Sequence, residues 1–242
     1  MEQLETLFAS GQMKQGFARL QSLVARNEAT EAMRNHYELL VGLGYEALPS
    51  ATAGDVQFKE DGAEQYRVLA PFYQLVATED AATFGETVEA LQQGDQAMQA
   101  EAYFLMATYF GITKAYDKAF AQYAQTLRLN PNQALYWAYF AQDVQRASGH
   151  PLLALRLIEE AITLDATNAR YFLIQHYIFM QLLAMTKNLN YSVSAEEALS
   201  RAKKRVRKDQ NRSLLPSLKP KMCWRSGNNN FYNDYVEGQL SA

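Results

Sequence analysis

The chain has 242 residues, 48% of them hydrophobic and 20% charged, enough apolar material for one sizeable core or two small ones. With only 6 prolines and 12 glycines it disfavours a loop-rich all-β fold, and its one cysteine, Cys223, excludes an internal disulfide framework or a multi-cysteine metal site. The net charge of -3 conceals an asymmetry: residues 1–200 carry 13 Lys+Arg against 23 Asp+Glu, whereas residues 201–225 carry 10 Lys+Arg against Asp209 alone.

Helical periodicity governs the chain from its start. The opening MEQLETLFASGQ has no basic start followed by an apolar run, so no signal peptide is expected, and the setting reads as cytoplasmic. Residues 11–44, GQMKQGFARLQSLVARNEATEAMRNHYELLVGLG, read as a degenerate pair of helices. The least periodic stretch, LPSATAGDVQFKEDG from Leu48 to Gly62, is the expected loop. Thr83 to Gln93, with Phe84, Val88 and Leu91, reads as another helix.

Further on, Ala119, Phe120, Tyr123, Ala124 and Leu127 recur at three- and four-residue steps, which places them on one helical face. A helix over 132–147 follows, with Trp137, Phe140, Ala141 and Val144 on its apolar side, then one carrying Leu153, Leu157, Ile158, Ala161 and Ile162. Asn130-Pro131-Asn132 and Ser148-Gly149-His150-Pro151 mark the joints, because proline breaks a preceding turn yet suits the first turn of a helix. The most apolar window, Tyr171 to Met185, contains Gln175, His176 and Gln181 and is shorter than the roughly 20 apolar residues of a membrane span, so it reads as a buried helix. Ser194-Ala195-Glu196-Glu197 fits a capping box and predicts a helix start there.

Two segments close the chain. Arg201, Lys203, Lys204, Arg205, Arg207, Lys208 and Arg212 form a basic cluster on a terminal helix. Beyond it, residues 213–242 combine prolines and an asparagine run with the aromatic anchors Trp224, Phe231, Tyr232 and Tyr235. A disordered linker seldom holds so many aromatics.

Thr126-Leu127-Arg128-Leu129-Asn130-Pro131 aligns with Ala161-Ile162-Thr163-Leu164-Asp165-Ala166 at a fixed offset in the mid-thirties, the signature of a stacked repeat. With Tyr103, Ala107 and Phe110 in one helix, Ala119, Tyr123 and Pro131 in the next, and Trp137, Ala141, Ala154, Ile158 and Ala161 in the following unit, the chain resembles the tetratricopeptide repeat family, most clearly over residues 100–168. Small residues in that pattern let two helices approach, and the aromatics fill the gap toward the next hairpin. The resemblance implies an all-α fold: a right-handed superhelical stack of antiparallel helical hairpins over residues 1–212, ending in a basic helix and a mostly irregular tail, 213–242, docked on the domain or on a partner.

It also implies a concave groove lined by the first helix of each repeat. Mapped here, the groove comprises Glu101, Phe104, Thr108 and Ile112; Leu135, Ala138, Gln142 and Arg146; and Arg170, Leu173 and Tyr177. Family members that clamp a chaperone's C-terminal carboxylate carry lysine and asparagine on two positions where this chain has Phe104 and Thr108, so that specialisation is not expected. The mixed, fairly apolar set suits an extended peptide or helix offering hydrophobic side chains.

Signatures of catalysis are weak. Gly42-Leu43-Gly44-Tyr45-Glu46-Ala47 fits a dinucleotide-loop pattern, but at the end of a helix rather than after a strand. His36, His150 and His176 lie far apart and read as packed or turn residues, and Cys223 as an ordinary thiol. The adjacent pairs Glu159-Glu160 and Glu196-Glu197 point in different directions on a helix and read as solvated faces. The sequence therefore predicts a non-catalytic interaction module, an adaptor, scaffold or chaperone-like protein with no cofactor and no metal, whose tail supports self-association. The alternatives are a nucleic-acid-associated factor using 201–212 and, third, an enzyme with a dispersed site.

Overall fold

The structure, a computed structural model, describes residues 2–10, 12–42, 62–147 and 150–209. Among these residues there are eleven helices and no strand. They are α1 (Glu2–Ala9), α2 (Met13–Ala25), α3 (Glu31–Gly42), α4 (Gly62–Thr78), α5 (Ala81–Gln92), α6 (Gln96–Ile112), α7 (Tyr116–Leu129), α8 (Ala134–Arg146), α9 (Pro151–Leu164), α10 (Ala169–Thr186) and α11 (Asn190–Asp209). The expected loop at 48–62, apart from Gly62, and the whole tail from 213 lie outside the described residues, as do Leu43 to Ala47 of the glycine pattern.

Local chemistry sets the helix ends. Asp80 accepts from the Ala82 and Thr83 amides, Asp95 from Met98 and Asn168 from Arg170, each satisfying donors that a helix start leaves open. Pro151 opens α9, where no amide donor is needed. Lys187 takes a left-handed conformation, φ 59°, to end α10. The capping box at Ser194 is a correction: α11 begins a turn earlier, because the Asn188 side chain already accepts from the Asn190 amide at 3.0 Å. Ser194 Oγ instead donates to the Ala9 carbonyl at 2.5 Å, linking α11 to α1.

The helices from α4 onward form two layers. The even row, α4, α6, α8 and α10, packs each helix against the next, while α7 lies on α6 and α8, and α9 on α8 and α10. Close approach within the hairpins rests on small side chains. Ala107, Ala119, Ala141, Ala154 and Ala161 are fully buried, the same positions the repeat pattern picks out. Trp137 is buried beside the joint, its indole donating to the Pro131 carbonyl at 2.6 Å. Tyr123 stacks on Phe140, centroids 5.0 Å apart, and meets Phe104 at 6.3 Å, so one aromatic column ties α6, α7 and α8.

The N-terminal helices add a third layer: α2 lies on α9 and α1 on α11. Their buried side chains, Phe8, Met13, Phe17 and Leu20 among them, belong to the same core cluster as those of α9. Phe8 meets His36 at 4.9 Å and Phe17 stacks on Tyr37 at 5.6 Å. Gly16 is needed there, since a Cβ would come within 2.9 Å of the Phe8 ring.

Candidate interaction surface

The even row is stitched together by side chains crossing from helix to helix. Arg67 of α4 pairs with Glu101 of α6 at 2.6 Å. Phe104 of α6 packs on Tyr136 and Tyr139 of α8, with centroids 4.7 and 5.4 Å apart. Arg170 of α10 reaches back to α8, donating to Gln142 Oε1 at 3.0 Å and to the Tyr139 hydroxyl at 3.3 Å, with its guanidinium 4.8 Å from the Tyr139 ring centre. Such a planar cation over a ring gains both electrostatic and packing energy.

Behind this row sits a buried joint. The Tyr123 hydroxyl of α7 donates to Asp143 Oδ2 of α8 at 2.8 Å, and Arg146 donates to Oδ1 at 3.2 Å. Burial is the main influence on Asp143 and lifts its carboxyl above the usual range, while Arg146 and the Tyr123 hydrogen bond pull it back. Burial, with the Asp143 charge next to it, also pushes the Tyr123 phenol well up. Gly111 of α6 closes the joint, because a Cβ there would lie 2.0 Å from Asp143 Oδ2.

The groove residues expected from sequence divide in two. Phe104, Leu135, Ala138 and Leu173 are buried apolar side chains, and Thr108 and Gln142 are nearly buried. Phe104 turns toward α8 and helps hold the row together, whereas Leu173 packs in a small cluster with Phe172 of α10 and Ala202 of α11. Glu101, Ile112, Arg146, Arg170 and Tyr177 remain partly open. The surface that a partner can touch is thus more polar than the sequence set suggests.

The basic cluster divides as well. Arg201 and Lys204 are exposed and Lys203 is partly so. Arg205 lies over the Phe172 ring, 4.0 Å from its centre, and its Nε donates to the Ala166 carbonyl, fastening α11 to the turn before α10. Arg207 and Lys208 continue α11, and Arg212 lies outside the described residues. His176 is buried with Nδ1 2.9 Å from the Ala195 carbonyl, and His150 is the residue before α9.

The carboxylate pair at Glu159-Glu160 is a second correction. Glu160 is fully buried and Glu159 largely so, because α2 covers them, whereas Glu196 and Glu197 are exposed. The sequence did hold a signal: Arg156 and Glu160 are one turn apart on a helix that is otherwise almost wholly apolar. Among the described residues no group of three or more His, Cys, Asp or Glu is placed to hold a metal ion, and no helix is long and apolar enough to cross a membrane. Comparison with protein-family models, with curated proteins and with solved structures finds no match.

Proposed function

We propose that the chain is a non-catalytic protein-interaction module of the tetratricopeptide type, an adaptor, scaffold or chaperone-like protein, that receives an extended peptide or helix of a partner along α6, α8 and α10. The observation that carries this reading is the restraint on Arg170, whose guanidinium is held by Gln142 and Tyr139 yet stays partly open, as do Arg146 and Tyr177 of the same even row. Arginine and tyrosine dominate the energetics of interfaces, and a side chain fixed in advance loses less entropy on binding. Two guanidinium groups favour carboxylates or backbone carbonyls on the partner. The partner therefore presents polar or acidic groups as well as apolar ones, a shift from the apolar groove that sequence alone suggests.

Affinity capture compared across variants tests this. Arg170→Ala should lower recovery of the bound protein about tenfold or more, consistent with the loss of a central anchor. Arg128→Ala, an exposed charge on α7, should leave recovery unchanged. Equal recovery with Arg170→Ala, at unaltered helix content, would count against the even row as the binding face.

A further inference from the structure

Helix α9 reads PLLALRLIEEAITL, and of its 14 residues Thr163 alone is exposed. Its counterpart α7 exposes Asp117, Lys118, Ala121 and Arg128. The difference is α2, whose first turn crosses α9. The Met13 amide donates to Glu159 Oε2 at 3.1 Å, which satisfies an open donor at the start of α2 where Gln12 provides no side-chain cap. Lys14 pairs with Glu160, and Glu160 also pairs with Arg156. Arg156 is 3% exposed and Glu160 0%.

Beside these ions the contact is apolar, since Met13 and Leu20 of α2 are fully buried in the core that α9 shares. Burying an ion pair returns about as much Coulomb energy as desolvation removes, so the charged part of the contact adds little to closure. The same Arg156 and Glu160, one turn apart, would form an ordinary solvated pair if α2 moved away. A terminal layer joined to the rest of a chain by such a mixed contact is the kind of unit that opens ahead of global unfolding. The N-terminal helices meanwhile keep the Phe8–His36 and Phe17–Tyr37 packing within themselves.

We propose that residues 2–42 form a reversible clasp that covers α9 and lifts off as a body, with Glu159 making its closure pH-dependent. The clasp is independent of what the even row binds. Burial raises the Glu159 carboxyl to about 7, Glu160 adds repulsion, and the Met13 amide, Arg156 and Lys14 oppose the rise. The charged groups of the neighbouring helices α8 and α10, namely Asp143, Arg146 and Arg170, are engaged with Tyr123, Gln142, Tyr139 and one another. With the clasp open, Glu159 returns to the ordinary carboxyl range. The closed form therefore holds the extra proton, so closure is strongest below neutrality and weakens as pH rises through 7. Between pH 6 and pH 8 the linkage weakens closure about tenfold. His36, the other group titrating nearby, packs on Phe8 inside the clasp and moves with it.

Hydrogen exchange of the full chain, corrected for intrinsic rates, tests the proposal at pH 6 and pH 8. The amides of α1 to α3 should be less protected than those of α8, and should lose about tenfold more protection at pH 8. Glu159→Gln should abolish that pH response. Ser194→Ala, which removes the tie to Ala9, should lower clasp protection while keeping the response. Three results would overturn the clasp: equal protection of α1 to α3 and α8 at both pH values, no protection of α1 to α3 at either, or a pH response that survives Glu159→Gln.

Discussion

At the scale of single residues, Gly111 and Gly85 show how one substitution changes sign with its surroundings. A helical glycine replaced by alanine ordinarily gains about 0.5–1 kcal/mol, because alanine loses less backbone freedom on folding. Gly85 meets that condition, since a Cβ there has nothing within 4 Å. Gly111 does not, since the new Cβ would displace the Asp143 carboxylate from its bond with Tyr123. Gly85→Ala should raise the urea midpoint, and Gly111→Ala should lower stability by about 1–3 kcal/mol, the range for overpacking a core. A stabilising Gly111→Ala would mean the joint between α6, α7 and α8 is looser than described. Neither glycine stands out in the sequence, since the contact that matters joins positions 32 residues apart. The same holds for Phe104 and Leu135. Helical spacing marks both as facing their repeat neighbour, but only the distance between even helices decides whether that face is groove or core.

At the scale of elements, α9 is the instructive helix. Its existence, its start at Pro151 and its small-residue positions Ala154 and Ala161 follow from periodicity and turn chemistry in the sequence. Its covering follows only in part: the apolar run with Arg156 and Glu160 one turn apart signals burial, but not that α2 supplies it, since the contact from Met13 to Glu159 spans 146 residues. The buried Arg156–Glu160 pair then makes an energetic prediction. Glu160→Ala removes the carboxylate from beside a buried guanidinium and should destabilise by about 3–5 kcal/mol. The double change Arg156→Met with Glu160→Leu should restore most of that loss or exceed it by about 1–4 kcal/mol, as apolar replacements of buried pairs do. Denaturant unfolding of the three proteins reads the difference. A single Glu160→Ala variant within about 0.5 kcal/mol of the parent, the range of surface substitutions, would show that the pair is solvated and α2 is not seated on α9.

At the scale of the whole molecule, two layers of stacked hairpins present α6, α8 and α10 on one side and hold an N-terminal layer on the other. The stack was legible because its signals are local: proline joints, small residues and aromatics recurring at a fixed offset. The third layer was not, because nothing in a single sequence reports which surface a terminal hairpin covers. The most direct test is paramagnetic broadening from a spin label at Thr163→Cys, the exposed position of α9, with Cys223→Ser to remove the native thiol. The layered architecture predicts that the amides of α2 broaden along with those of α8 and α10. Full intensity across α2, with broadening confined to the neighbouring hairpins, would contradict it.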